Sequence, residues 1–199
     1  EHEVFGVPDP PMAERFELLE EALAYARAML SDDPIGFRGD HYTLESFPIA
    51  PKPTGRVKLL VGGIGAARTP HLAGTYADEF NIYPGPDLEI RIDRARAAAA
   101  AAGRDPNALM LSSAGQVVGA STEQALERRL DALAEESNMT RKELSEQFSK
   151  RDTPIGTYEQ LREQFALLEG LGISRFYLQG GYDPDHTPEL IEAVGAKSH

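Results

Sequence analysis

The fold class is decided by residues 57–68, which are Val57-Lys58-Leu59-Leu60-Val61-Gly62-Gly63-Ile64-Gly65-Ala66-Ala67-Arg68. The first five of these residues are typical of a short apolar strand, which stops at the glycines. A helix is predicted from Ala66 to about Tyr76, and Phe80–Tyr83 is typical of a second strand. Strand, glycine loop, helix and strand form a βαβ unit, and such units build parallel sheets.

The same alternation continues on both sides of this unit. Apolar residues three or four apart predict a helix over 14–30, and possible capping boxes mark the starts of three later helices. The boxes are Ser121 with Gln124, Thr140 with Glu143, and Thr157 with Gln160. A further helix is predicted over 87–102, and further strands over 110–118 and 173–178. Four short apolar strands that alternate with helices predict an α/β protein with a parallel sheet.

Two segments interrupt the alternation. Phe37–Leu44 predicts a hairpin that turns at Gly39-Asp40, and prolines 48, 51 and 53 predict a stiff extended connector. These features define a predicted insertion over 31–55, and a short polar helix defines a second over 137–153. We therefore predict a single α/β domain over 1–199 that contains both insertions.

Composition excludes several classes of function. The 199 residues carry 20 basic and 32 acidic side chains, a net charge of −12, which repels the phosphate backbone of nucleic acids. The chain has no cysteine, which excludes disulfides and thiolate chemistry. No apolar run approaches the roughly 18 residues of a membrane span. The run Asp183–His186 lacks the ligand spacing of a metal site. We predict a cytoplasmic protein with no metal and no nucleic-acid or membrane partner.

The glycine loop is the strongest candidate for a binding site. Backbone N–H groups at a helix N-terminus lack partners and lie at the positive end of the helix dipole. We therefore predict that Gly62, Gly63, Ile64 and Gly65 bind a phosphate, with Arg68 as a weaker candidate. A tight turn that binds nothing explains the same glycines. No third spaced glycine and no Lys-Ser/Thr pair follow, which disfavours nicotinamide and P-loop sites.

Residues 62–81 carry a family resemblance. The glycine loop, Arg68-Thr69, Leu72-Ala73 and the run Tyr76–Asn81 resemble the luciferase-like flavin oxidoreductase superfamily, and more narrowly its branch that uses the deazaflavin coenzyme F420. Further similarity extends over nearly the whole chain, through the helix 15–30, the hairpin, the proline connector, Gly156-Thr157 and Phe176–Gln179.

The resemblance implies a (β/α)8 TIM barrel of which this chain contains only the second half, about four strands. Residues 1–11 are similar to the segment that follows the fourth barrel strand. A half barrel exposes strand edges and an apolar interior. We therefore expect this chain to be the C-terminal portion of a barrel that pairs with the missing half, or a subunit of a homo-oligomer.

The resemblance also implies a function, which is an oxidoreductase that uses coenzyme F420 or FMN for hydride transfer to, or monooxygenation of, a small organic substrate. Gly62–Gly65 would hold the cofactor phosphate. Asn81 and Gln179, at strand ends, would contact the cofactor ring or the substrate, although local hydrogen bonding explains them equally well. No catalytic residue is identified, because many groups near the reacting ring carbon lie on strands that this chain lacks.

Two other functions stay open. The first is a non-catalytic flavin-binding or interaction protein built from a truncated barrel, in which the phosphate loop persists without catalytic groups. The second is a phosphate-binding aldolase or isomerase without a redox cofactor. This second function ranks last, because such an enzyme needs a Lys or Glu at the end of a strand, whereas Lys58 lies near the start of one.

Overall fold

The computed structural model describes residues 2–31, 36–45, 51, 53–179 and 186–195, with the side chains from Val4 onward. Pro48 of the proline connector and Asp183–Asp185 lie outside the described residues. The chain forms two compact units, the first made of Glu1–Phe80 and Asp93–Leu109, the second of Asn81–Ile92 and Met110–His199. The single domain with two insertions stays a prediction.

Helices and strands alternate from residue 60 onward, as predicted, except that strand β6 follows strand β5 and helix α6 follows helix α5. The helices are α1 (His2–Phe5), α2 (Met12–Met29), α3 (Arg68–Tyr76), α4 (Leu88–Ala101), α5 (Glu123–Glu136), α6 (Arg141–Lys150), α7 (Tyr158–Gly170) and α8 (Thr187–Val194). The strands are β1 (Phe37–Arg38), β2 (Thr43–Leu44), β3 (Leu60–Gly62), β4 (Glu79–Asn81), β5 (Met110–Gly115), β6 (Val118–Ala120), β7 (Ile155–Thr157) and β8 (Ile173–Leu178). Among the described residues, no helix is long and apolar enough to cross a membrane.

The predicted hairpin is confirmed in the first unit. Strands β1 and β2 are antiparallel, with Phe37 opposite Leu44. The carboxylate of Glu21 on α2 holds the turn, since it accepts hydrogen bonds from the N–H groups of Asp40, His41 and Tyr42 at 2.8–3.0 Å. The sequence around the turn does not indicate this contact. The hairpin is therefore fastened to α2.

Strand β3, helix α3 and strand β4 form the predicted βαβ unit, which belongs to the first unit up to Phe80, and β3 and β4 are neighbours. The core consists of buried apolar side chains from these elements and from the second half of α4, among them Val61, Leu72, Phe80, Ala95 and Ala99. A Cβ on Gly74 of α3 would lie 2.8 Å from Ala98 Cβ and 2.9 Å from Ala99 N. Helices α3 and α4 therefore meet along a seam of small residues.

The C-terminal end of α3 is fastened by charged side chains. Arg104 donates hydrogen bonds to the carbonyl oxygens of Gly74 and Ala77, and Arg27 Nε donates to Tyr76 O at 2.7 Å. The carboxylate of Asp78 accepts from Leu59 N at 2.9 Å and pairs with Arg27 and Arg56 at 2.9 and 2.6 Å. These contacts fix the last turn of α3, since cations stabilise a helix C-terminus.

In the second unit β5 and β8 pair in parallel, from Leu111 opposite Ile173 to Gly115 opposite Leu178. The predicted strand 110–118 breaks after Gly115, which corrects the prediction. Its second part, β6, pairs in parallel with β7, a strand that was not predicted from the sequence. A three-residue strand is too short to show a period, so neighbouring contacts decide its conformation. Strand β6 and helices α5 and α6 share one apolar cluster, which includes Val118, Leu126, Leu130, Leu144 and Phe148.

Two of the three predicted capping boxes are confirmed. Thr140 with Glu143 begins α6, and Thr157 with Gln160 begins α7. The third prediction is wrong by one residue, because the cap of α5 is Thr122, whose side chain accepts from Ala125 N at 3.2 Å. Ser121 and Thr122 are both favourable caps, so only the observed backbone decides between them.

Candidate functional site

The glycine loop joins β3 to α3 and passes close to the first turn of that helix. Gly63 has φ = +152°, and a Cβ there would lie 3.2 Å from Thr69 Cγ2. A Cβ on Gly65 would lie 2.5 Å from Thr69 Oγ1, and Thr69 is buried. Both glycines therefore have a steric reason to be glycine. The backbone is also left without a side chain at these two positions.

The N-terminus of α3 has no side-chain cap. Its N-cap residue, Ala67, makes no side-chain hydrogen bond, and the first turn contains no acidic residue. The first intrahelical bond runs from His71 N to Ala67 O, and Pro70 has no N–H. The helical pattern therefore gives no partner to the N–H groups of Ala67, Arg68 and Thr69. These donors lie at the positive end of the helix dipole, which favours an anion.

Two arginines lie near this helix start. The guanidinium of Arg68 lies 5.3 Å from the centre of the Phe16 ring, a cation–π geometry that directs the charge towards α2. Arg94 of α4 donates a hydrogen bond to Ala66 O, at the end of the glycine loop. Arg94 was not predicted from the sequence, because it lies 28 residues from Ala66 and no local pattern connects the two. A role of Arg68 in phosphate binding stays a prediction.

Asn81, at the end of β4, is used in a local hydrogen bond. Its amide Nδ2 donates to Ser112 Oγ at 2.9 Å, and both residues are buried. The neighbouring Ser113 Oγ donates to Ile82 O at 2.7 Å. These bonds satisfy polar groups inside the second unit, as the local explanation of Asn81 requires. A contact of Asn81 with a ligand stays a prediction.

Gln179 directly follows β8 and is exposed. Its backbone N donates to Gly115 O at 2.8 Å, at the carboxyl end of β5. Its side-chain Oε1 accepts a hydrogen bond from the Tyr83 hydroxyl at 3.2 Å. Tyr83 was not singled out in the sequence, because it lies 96 residues from Gln179. The structure therefore places a tyrosine and a primary amide together at the carboxyl ends of strands, where parallel α/β proteins bind ligands.

The comparison with protein families decides the family. The family model described as luciferase-like monooxygenase matches residues 1–192. The chain belongs to this family. The family resemblance that the sequence indicated is thereby confirmed.

Two curated relatives of the luciferase-like family match part of the chain. An F420-dependent glucose-6-phosphate dehydrogenase of Microbacterium testaceum (strain StLB037) is 27% identical over 89 residues, 45% of this chain and 26% of the relative. An FMNH(2)-dependent dimethylsulfone monooxygenase of Pseudomonas fluorescens (strain Pf0-1) is 34% identical over 91 residues, 44% of this chain and 24% of the relative. The matched part is about a quarter of each relative.

The fold agrees over nearly the whole chain with solved structures. An F420-dependent secondary alcohol dehydrogenase, solved with an F420–acetone adduct, superposes with a TM-score of 0.69 at 23% identity, covering 98% of this chain and 66% of that one. A riboflavin lyase superposes with a TM-score of 0.76 at 17% identity, over 97% and 59% of the two chains. The predicted fold class, an α/β protein of the TIM-barrel type, is confirmed.

Proposed function

We propose that this chain contains the phosphate-binding part of an oxidoreductase that uses coenzyme F420 or FMN. The observation that carries the proposal is the start of α3, which combines a glycine loop, no side-chain cap and no acidic residue in the first turn. The relatives and the first solved structure support this cofactor class, since they are described as dependent on F420 or FMNH(2).

The residues present fit the phosphate of either cofactor. The N–H groups of Ala67, Arg68 and Thr69, together with the backbone of Gly62–Gly65, provide hydrogen-bond donors around a helix start. A Cβ on Gly65 would fill the space beside Thr69 Oγ1. Arg94 fixes the end of the loop through Ala66 O and brings a positive charge to it.

The cofactor and the protein chain would have different roles in the reaction. The bound cofactor would supply the redox chemistry, either hydride transfer or the activation of oxygen for monooxygenation. The chain would supply phosphate binding through the glycine loop. It would supply ring or substrate contacts through Asn81 and Gln179. The substrate that we propose is a small organic molecule, as in the family at large.

We also propose that the edges of the sheets pair with the rest of a barrel or with a second copy of the chain. Among the described strands, β3 has β4 as its neighbour and β8 has β5. Leu60 of β3 is 49% exposed, and Tyr177 and Leu178 of β8 are 37% and 40% exposed. An open edge with exposed apolar side chains is a pairing surface. The solved dehydrogenase supports this proposal, since this chain covers 66% of its length.

A phosphate-specific binding experiment tests the cofactor site. The purified protein is titrated with FMN and with riboflavin, which is FMN without the phosphate, and the dissociation constants are compared. We expect FMN to bind at least about 100-fold more tightly, because the loop binds the phosphate. Gly63→Asp should abolish this preference, because it adds a negative charge and a side chain next to Thr69. Coenzyme F420 is titrated in the same way, so that its dissociation constant can be compared with that of FMN.

The matched control is Gly55→Asp, which adds the same charge in the same unit at a glycine with no atom within 4 Å of the added Cβ. We expect its cofactor affinity to be unchanged. Equal affinities for FMN and riboflavin, or an unchanged FMN affinity in Gly63→Asp, would remove the phosphate loop from the proposal. Tight binding without turnover of any substrate, in a protein with a complete barrel, would favour the non-catalytic binding protein.

A further inference from the structure

Arg91 is a buried cation that has no role in the proposed phosphate site. It lies on α4 in the second unit and is 5% exposed. Its Nη2 donates to Tyr83 O at 3.0 Å, and its Nε lies 3.4 Å from Asp87 O. Burial of a guanidinium is costly unless its N–H groups are hydrogen-bonded. Both acceptors belong to the loop that follows β4, so the guanidinium holds this loop at two points.

The loop is held on a second side as well. Leu88 N donates to Gly85 O at 3.1 Å, which closes the loop at the start of α4. A Cβ on Gly85 would lie 3.4 Å from Arg91 Nη2 and 3.5 Å from Asp152 Oδ2. A cation and a carboxylate therefore approach the same point of the loop backbone, from α4 and from the turn after α6.

The side chain that this loop carries is Tyr83, whose hydroxyl donates to Gln179 Oε1 at 3.2 Å. A primary amide has one acceptor and two N–H donors, and a half-turn of the amide exchanges them. When the tyrosine hydroxyl donates to the oxygen, the NH2 group must point the other way. The backbone of Gln179 is itself fixed by Gly115 O. Tyr83 thus determines which face of the amide is presented to a ligand.

We propose that Arg91 and Tyr83 are positioning residues, which orient the amide of Gln179 so that its NH2 group donates a hydrogen bond to a carbonyl oxygen of the cofactor ring. This inference rests on the proposed function and deepens it. Both FMN and coenzyme F420 carry such carbonyls on their pyrimidine ring. The effect of Arg91 passes through the loop and the effect of Tyr83 through the amide, so neither residue needs to contact the ligand.

A double-mutant cycle tests the link between Tyr83 and Gln179. The dissociation constants of FMN and of coenzyme F420 are measured for Tyr83→Phe, Gln179→Ala and the double variant. We expect each single change to weaken binding about 2- to 10-fold, the range of one hydrogen bond. The double variant should bind about as weakly as Gln179→Ala alone, because an absent amide needs no orientation. If the fold-losses in affinity of the two single variants multiply in the double variant, the proposal is overturned.

A third variant tests which side of the amide matters. Gln179→Glu keeps an oxygen that accepts from Tyr83 but has no N–H to donate. We expect it to bind the cofactor at least as weakly as Gln179→Ala. An affinity within twofold of the unchanged protein would show that the amide NH2 contacts no acceptor, which overturns the proposal.

The role of Arg91 is tested without any cofactor. Arg91→Lys keeps the charge but replaces the forked guanidinium by a single ammonium group. We expect the backbone amides of Tyr83, Gly85, Asp87 and Leu88 to exchange with deuterium about tenfold faster, an order-of-magnitude estimate for one lost hydrogen bond. Arg94→Lys, on the same helix, is the matched control and should leave this exchange unchanged. Unchanged exchange in Arg91→Lys would overturn the positioning role.

The experiments separate this inference from the proposed function. If the protein binds neither FMN nor coenzyme F420, both fail. If Gly63→Asp abolishes binding while Tyr83→Phe and Gln179→Ala leave the affinity within twofold, the phosphate site stands and this inference fails. If the cycle shows the expected non-additivity and the backbone amides of this loop exchange faster in Arg91→Lys, both stand.

Discussion

Helices α3 and α7 each follow a strand, but their N-termini are capped differently. Helix α7 begins at Ile155-Gly156-Thr157, and a capping box fills its N-terminus, with Thr157 Oγ1 accepting from Gln160 N and Gln160 Oε1 accepting from Thr157 N. Helix α3 begins at Arg68, after the glycine loop Gly62–Gly65 and two alanines, and its N-cap Ala67 makes no side-chain bond. A side chain caps the N-terminus of α7, whereas no side chain caps that of α3.

The difference shows how α3 is held without a cap. Its far end is fixed by Arg104, Arg27 and the ion pairs of Asp78, which together bind the last carbonyl groups and the start of β4. The helix is thus anchored at its C-terminus, whereas α7 is anchored at its N-terminus. These contacts at the C-terminal end hold α3 in place although its N-terminus has no side-chain cap.

The largest expected effect comes from breaking the anchor of α3. Asp78→Asn removes the charge that faces Arg27 and Arg56, and the side chain of Asp78 is 8% exposed. Asn weakens the charged hydrogen bonds that the buried carboxylate accepts from the partly exposed Arg27, the exposed Arg56 and Leu59 N, which should lower the free energy of unfolding by about 2 kcal/mol. Denaturant unfolding at pH 7 measures this change. Asp93→Asn, at an exposed position of α4, should stay within about 0.5 kcal/mol.

The same carboxylate predicts a pH dependence. Burial raises the pKa of Asp78, but the hydrogen bonds from Arg27 and Leu59 N and the charges of Arg27 and Arg56 outweigh it, so the pKa is lowered overall. A lowered folded-state pKa stabilises the fold above the unfolded value of about 3.9, and this stabilisation is lost as the pH falls through the folded pKa. The stability difference between the parent protein and Asp78→Asn should therefore shrink below about pH 4. A constant difference down to about pH 2 would contradict the ion pairs.

A change at the N-cap of α3 should make the two helix starts more alike. Ala67→Asp places a carboxylate at the open donors, which should raise stability by about 0.5 kcal/mol through the helix dipole. The same charge repels a phosphate, so FMN affinity should fall about tenfold. Titration and thermal unfolding are measured on the same samples. Ala67→Asn is the neutral control and should weaken binding less. A loss of both stability and affinity would instead indicate a distorted loop.

The smallest expected effect concerns the capped N-terminus of α7. Thr157→Ala removes the cap of α7 and should lower the free energy of unfolding by about 1 kcal/mol without changing cofactor affinity. Thr157→Ser keeps the hydroxyl and should restore most of the stability. Chemical denaturation and an FMN titration check the two expectations. If cofactor affinity also fell by tenfold, the contrast between the two helix starts would be wrong.

The regular parts of the fold were predictable from sequence because their signals are local. The apolar spacing of residues 14–30 gave α2, and two capping boxes gave the starts of α6 and α7. Strand β7 and the break after Gly115 were missed, because three-residue strands are fixed by their pairing partners. Prediction from sequence succeeds where the residues that fix an element are close together in the sequence.

The residues of the candidate site also differ in whether the sequence predicts them. The glycine loop was recognisable because its turn, its glycines and its helix are contiguous. Arg94, Tyr83 and Arg91 were not, since each acts through a backbone or side chain that a fold must first bring near. Arg68 was contiguous with the loop, yet its guanidinium lies over the Phe16 ring. Adjacency in sequence does not determine where a long side chain points.

The small-residue seam between α3 and α4 also determines which substitutions the alanine run can accept. Ala95, Ala98 and Ala99 are buried against Gly74, whereas Ala97, Ala100 and Ala101 are exposed. Polar or long residues can therefore replace the second group freely, while a single added methylene in the first group would separate the two helices. The run looks repetitive, but only the alanines that face Gly74, three and four residues after Ala95, are constrained. A homologous chain should diversify the exposed positions and keep the seam small.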